Sequence, residues 1–363
     1  MARLLFSVLG SLLCLACSAS AEPLEGKGYS IPTPATGISF PRDHGAHPDF
    51  RTEWWYLTGH LVRKGGDPFK DGTDFGFQIT FFRRGVGQSP ASSDWGEQYL
   101  AHAAVSDIEK NRFQFEKRYI RGGVPIASAS TTGLDVRNGP WSMMLSDGGF
   151  RTDFSVQKKG TPSYQVSLRA NVVPEPLRHG QSGFSRKGRC EGCASMYYSL
   201  PAIRFDGEIL RGDERIPVEG LGWLDHEWMS GAIDPNQVGW DWISLMHRDG
   251  KSVMLFQLRD KAGKVDFGSG TILSSDGQTT LSPSEFSIRS QNTWKSPVTG
   301  NRYPSGWQVM LPGGPEINLT PLLPDQELSG AGNEYWEGAI TSADRAWIGY
   351  AELTGYGKPV GRF

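Results

Sequence analysis

The stretch GWLDHEWMSG, residues 222 to 231, sets an aspartate, a histidine and a glutamate side by side between two tryptophans. Folding alone does not ask for three ionisable groups in a row inside an aromatic patch. The run is therefore a candidate for acid–base chemistry on an apolar molecule. Alternate side chains of an extended strand point to opposite faces, so Asp225 and Glu227 share one face while His226 and Trp228 share the other. An adjacent carboxylate and imidazole can orient one another, which marks Asp225 and His226 as candidate catalytic groups. The segment VGWDWISL repeats the theme, with Trp240, Trp242 and Ser244 on one face and Asp241, Ile243 and Leu245 on the other. If Asp241 faces an interior, desolvation favours its neutral form and makes it a proton donor. An arginine across from it would make it a structural ion-pair partner instead.

Other constellations are less pointed. EWWYLTGHL puts Trp54, Tyr56, Thr58 and His60 on one strand face, which reads either as an aromatic core with a satisfied histidine or as a ligand wall. Asp43, His44 and His47 lie in the loop FPRDHGAHPDF. Loop geometry could converge the histidines on a metal, but HxxH outside a helix is a weak pattern and loop-fixing hydrogen bonds are commoner. No metal is expected. His102, His179 and His247 have no neighbours that set them apart. There is no G-x-S-x-G elbow; Gln181-Ser182-Gly183 lacks the strand-turn-helix setting. HExxH, P-loop and dinucleotide fingerprints are absent, and no cofactor is expected.

The elements that must position these groups are strands. TDFGFQITFFRR alternates Phe75, Phe77, Ile79 and Phe81 with small or polar residues, the period of a half-buried strand. YLAHAAVSDI, RFQFEKRYI, YQVSLRANVV and MYYSLPAIRFDGEI continue the pattern, separated by Gly, Asn, Asp or Pro. After IPVEG a second series runs through SVMLFQLRD, VDFGSGTILS, YWEGAITS and WIGYAELTGY. No segment holds a helical period over three turns. The chain reads as all-β, two antiparallel modules meeting near residues 205 to 225. Closing each sheet into a barrel would remove exposed edges, and small barrels can hold one ligand. Both modules carry Asp-His followed by Glu-Trp, a loose echo of one another.

Composition narrows the partners. The chain has 37 basic against 39 acidic side chains, which gives no electrostatic case for nucleic acid or an anionic membrane. The N-terminus, MARLLFSVLGSLLCLACSASA, reads as a secretory leader over residues 1 to 21. Export to the periplasm or beyond is expected, with membrane contact only if Cys17 is lipidated. Cys190 and Cys193 in RCEGCAS then remain, as a local staple or idle thiols.

Taken together, FPRDHGAHPDFRTEWWYLTGHL, GLGWLDHEWMSG, VGWDWISLMHRDGKSVMLFQLR, YWEGAI and GYAELTGY resemble the lipocalin-like family of carotenoid 1,2-hydratase (hydroxyneurosporene synthase) and attachment-type secreted proteins. Members are often labelled predicted secreted hydrolases. The resemblance runs over nearly all of the mature chain. It implies two tandem lipocalin-like β-barrel domains, placed at 22 to 212 and 213 to 363, with a pocket suited to an isoprenoid or other apolar molecule. It also implies a functional role for Asp225, His226 and Trp228. The further acid of the hydratases has no clear match, and Asp241 is chosen from the strand argument. The expected pocket wall is Trp54, Tyr56, His60, Trp228, Trp240 and Trp242. Two readings follow: acid-catalysed hydration or cyclisation of an alkene, or a carrier that releases its apolar ligand unaltered. A secreted hydrolase without a visible nucleophile, and a purely structural envelope protein, are weaker alternatives.

Overall fold

The computed structural model describes residues 28–86, 97–122, 125–146, 149–231, 233–330 and 334–360. The expected leader and Cys17 lie outside the described residues. Within them the regular structure is β-strand, apart from one short 3-10 turn at Arg42–His44.

Two antiparallel sheets account for the architecture, and both follow the same route. The first starts at Thr52–Arg63 and steps outward through Phe75–Gly85, Glu97–Asp107 and Arg112–Arg121. It resumes at its opposite edge with Ala127–Ala129 and returns to Ala194–Arg211 and Glu214–Met229, which pairs with Thr52–Arg63. The two edges are thus consecutive in the chain, and the sheet curls until they approach. Arg118 lies 4.6 Å above the Trp141 ring and Asn138 Nδ2 donates to the Tyr99 carbonyl at 3.2 Å across that gap. The second sheet runs outward from Gln237–His247 to Gly277–Leu281, resumes with Ser287–Ser290, and returns to Trp347–Leu353 against Gln237–His247. These are the two near-closed barrels expected.

The boundary between them differs from the expected one. Glu214–Met229 completes the first sheet, so that sheet extends to Met229 rather than ending at 212. The reason is register: Trp54 to Tyr56 sit directly opposite Glu227 to Asp225. The two Glu-Trp pairs are cross-strand neighbours within one barrel, and Asp43-His44 lies in the 3-10 turn that precedes its first strand. They are not equivalent parts of two barrels.

Each barrel is filled by its own side chains. Trp55, Leu57, Phe77, Trp141 and Phe205 pack the first, and Ile243, Leu245, Trp307, Trp336 and Leu353 the second. A third cluster, including Tyr56, Tyr197, Trp223, Trp242, Phe256 and Tyr350, belongs to neither interior and joins their outer walls. Close packing inside the first barrel needs glycine. Gly59 and Gly222 are cross-strand partners, and a Cβ would come within 2.5 Å of Phe77 at Gly59 and of Phe205 at Gly222. Overpacking of this kind costs roughly 1–3 kcal/mol. Gly59→Ala is therefore expected to lower the unfolding free energy by that amount in denaturant titrations. An unchanged midpoint would contradict the packing described.

Candidate active site

Strand alternation decides which residues reach the seam. With Trp55 and Leu57 turned inward, Trp54 and Tyr56 point out of the first barrel. Trp223, Asp225 and Glu227 do the same from the neighbouring strand, while Leu224, His226 and Trp228 turn in. From the second barrel Trp240 and Trp242 point outward beside Glu352, and Tyr335 and Glu337 follow on the next strand. These walls enclose a cavity of about 260 Å³. Phe82, Leu100, Tyr197, Phe256 and Leu258 complete its apolar lining. The hollow therefore lies between the barrels and in neither lumen.

Asp225 is the best-defined acid in it. It is 3% exposed and accepts three hydrogen bonds: from Ser199 Oγ at 2.5 Å and Trp223 Nε1 at 2.6 Å on Oδ1, and from Tyr197 Oη at 2.6 Å on Oδ2. Burial opposes its charge and Glu227 adds repulsion. Against the three donors these still push its carboxyl up to about 7. Tyr197 in turn accepts from Trp242 Nε1 at 3.0 Å, so an indole of the second barrel steadies the acid of the first. Because Ser199 gives its proton to Asp225, His179 Nε2 donates to Ser199 Oγ at 2.6 Å, and His179 Nδ1 accepts from Thr271 at 2.9 Å. A serine, a histidine and an aspartate thus meet, but not as a hydrolase triad. The aspartate holds the serine, the histidine leans on a threonine, and Ser199 is buried behind the cavity wall.

Glu227, next on the same face, is paired with Lys187 at 2.8 Å and accepts from Ser195 at 2.5 Å. The Lys187 ammonium sits 4.2 Å above the Phe256 ring. On the opposite wall Glu352 accepts from Trp240 Nε1 at 3.1 Å; burial and the charges of Asp225 and Glu227 raise it to about 7. Burial and Glu352 push Glu337 well above the usual carboxylate range. His102 Nδ1 lies 2.7 Å from the Tyr335 hydroxyl, and burial keeps this imidazole neutral, down at about 3.

Four expected site residues lie elsewhere. His226 faces the first barrel's interior, where its Nε2 meets Glu53 at 2.9 Å and its ring stacks on Trp55. Trp228 is on that same face and stacks on His47 with ring centres 3.7 Å apart. Both placements follow from one strand: the alternation that aims Asp225 at the cavity turns its neighbours away. His60 faces outward but lies deeper in the seam, bonded to Thr73 at 2.8 Å and to the Gly349 carbonyl at 2.6 Å, a clasp between barrels. Asp241 faces the second barrel's interior with Arg259 at 3.1 Å and Gln257 at 2.8 Å, the structural ion-pair outcome. Asp225, Trp54, Tyr56, Trp240 and Trp242 do line the cavity.

The histidine-rich loop is accounted for by the same inner network. Glu53 is fully buried between His47, His226 and Arg83. Burial opposes its charge, but hydrogen bonds from both histidines and the Arg83 guanidinium hold it well below the usual range. His47, Glu53 and His226 are close enough to share a cation. Yet a cation would have to break both imidazole–carboxylate bonds beside a buried guanidinium. Cys190 and Cys193 form a disulfide, the local staple. Sequence reading passed over Glu337, Glu352, Lys187, Tyr197 and the His102–Tyr335 pair. The signal for the two glutamates was faint: each follows a tyrosine two residues earlier on its own strand face, Tyr335 in YWEGAI and Tyr350 in GYAEL.

Residues 31–356 match the family model described as AttH-like. An AttH protein of Nitrosomonas europaea has a solved structure that is similar, with 36% identity, TM-score 0.77, and coverage of 90% of this chain and 99% of that one. Kievitone hydratase of Nectria haematococca shares the fold, with TM-score 0.62 over 92% of this chain and 97% of that one at 15% identity. The dehydratase asqC of Emericella nidulans is 24% identical over 194 residues, 50% of this chain; the match spans 54% of that relative's length.

The raised Asp225 makes stability depend on pH. An acid whose folded value lies above its unfolded one favours the folded state at low pH. That advantage is lost as pH rises from its ordinary value of 3.8 through about 7. The span corresponds to roughly 4 kcal/mol at about 1.4 kcal/mol per pH unit. Asp225→Asn is neutral throughout, so its stability relative to the native protein should rise between pH 4 and 8 by an amount of that order. Parallel pH profiles of unfolding for the two proteins would show that Asp225 ionises normally.

Proposed function

The chain belongs to the AttH-like family, and on that premise we propose that it is a hydro-lyase that adds water to, or removes it from, an apolar isoprenoid-like alkene. The observation that carries this reading is Asp225: a carboxyl poised to be protonated near neutral pH, wired in place by three donors, in the wall of an aromatic cavity. The names of two relatives, a hydratase and a dehydratase, support the same class. In the hydration direction Asp225 gives its proton to one alkene carbon. The positive charge left on the other carbon faces the indoles of Trp54, Trp240 and Trp242, each contact worth about 0.5–2 kcal/mol. Water then attacks that carbon. Dehydration is the same path reversed.

A carrier would share the aromatic walls, but a dry recognition surface for an apolar ligand gains nothing from a cluster of buried carboxyls. That contrast favours the enzyme. The Ser199 arrangement supplies no exposed nucleophile for a hydrolase.

The test begins with solvent extraction of the purified protein and identification of the bound molecule by mass spectrometry. That molecule is then incubated with the protein in oxygen-18 water. The expected product carries one labelled oxygen, and Asp225→Asn forms it at least about a hundredfold more slowly with affinity nearly intact. Recovery of the molecule unaltered from the native protein would make it a carrier.

A further inference from the structure

The hydration chemistry uses one acid of the first barrel and leaves the second barrel's wall unexplained. Strand pairing forces two glutamates together there. Glu337 and Glu352 are direct cross-strand partners, so both side chains leave the sheet on one face, about 4.5–5.5 Å apart at Cβ. Both line the cavity. Glu352 has one donor, Trp240. Glu337 is 1% exposed, and its carboxyl lies beside the hydroxyls of Tyr56 and Tyr335 in the cavity wall. Of the cations around the cavity, Lys187 is held by Glu227 on the other side.

We infer that Glu337 and Glu352 share one proton and take up the proton of the attacking water, so that each barrel supplies one half of the hydration chemistry. This rests on the hydro-lyase reading. The charged and titratable groups around the pair are Asp225, Glu227, Lys187, Arg83 and Arg84 from the first barrel, with Tyr56, the His102–Tyr335 pair, Lys117, Glu334, Tyr350 and Lys358. Two carboxyls this close in a low-dielectric wall cannot both ionise, and the upward displacement of both agrees. The step balances. The alkene π pair takes the Asp225 proton and becomes a C–H bond, and a water lone pair closes a C–O bond on the cation. The extra proton of the resulting oxonium passes to the pair, which goes from one proton to two. Solvent then returns one proton from the pair to Asp225. No oxidant or co-reactant is consumed.

Two measurements on the full chain test this. With carboxyl-labelled glutamate, isotope-edited infrared spectroscopy of the native protein should show a protonated glutamate at pH 7, and the pair should titrate in two separated steps. Glu337→Gln and Glu352→Gln should each reduce these to one. Ionised glutamates throughout at pH 7, or a titration that neither substitution alters, would overturn the proposal. The second measurement compares binding of N,N-dimethyldodecylammonium, a stand-in for the cation, with the branched alkane of the same shape. The ammonium should bind the native protein at least about tenfold more tightly, and either glutamine variant should lose most of that preference. A preference that survives in both variants but vanishes in Asp225→Asn would place the charge on the first barrel and overturn the pair, leaving the hydro-lyase reading intact. If the pair titrates as expected but the extracted molecule returns unaltered from oxygen-18 water, the hydro-lyase reading falls, and the proton-acceptor role with it.

Discussion

Buried carboxylates packed around one largely aromatic cavity cannot all carry charge, and the arrangement of the seam follows from that constraint. Two unit charges about 4 Å apart repel by roughly 4 kcal/mol at an effective dielectric of about 20. Asp225, Glu227, Glu337 and Glu352 all line the space between the barrels. Glu227 is relieved by Lys187. The other three are driven towards their protonated forms by burial and by one another. A wall of this kind holds acids that retain their protons at a pH where exposed carboxyls have lost them.

The first barrel shows the opposite solution to the same problem a single residue away. Glu53, His47, His226 and Arg83 are as deeply buried as the seam acids, yet each is paired. There the carboxylate stays charged because a guanidinium and two imidazoles surround it. Alternation along one strand separates the two regimes: Asp225 and Glu227 leave the barrel and His226 and Trp228 enter it. The inner network ties the N-terminal loop to the barrel wall through His44, Tyr198 and Trp55, and so holds in place the strands that carry the cavity face.

Much of the fold was legible because its signal is local. Period-two runs such as Phe75 to Phe81 and turn dipeptides such as Asp249-Gly250 specify strands and hairpins without tertiary information. The grouping of side chains on faces was equally legible, and it correctly separated Asp225 from His226. What alternation cannot say is which face meets what. Trp54 and Tyr56 line the cavity while His60, on the same face, lies against the Gly349 carbonyl, because the contact between barrels is set by strands almost 290 residues apart in the chain. The choice between the two readings of Asp241 was open for the same reason: its face was read, but Arg259, diagonal to it on the next strand, could not be known until Gln237–His247 and Ser252–Asp260 were paired. The Glu337–Glu352 juxtaposition depends on register between strands, which the sequence of either one leaves open.

Neutron diffraction from crystals exchanged into heavy water at neutral pH would examine the seam most directly, since it locates the protons themselves. The account predicts deuterium on a carboxyl oxygen of Glu337 or Glu352, shared between them, and none on Glu53 beside its guanidinium. Four deuterium-free carboxylates around the cavity, neutralised by bound cations, would contradict it.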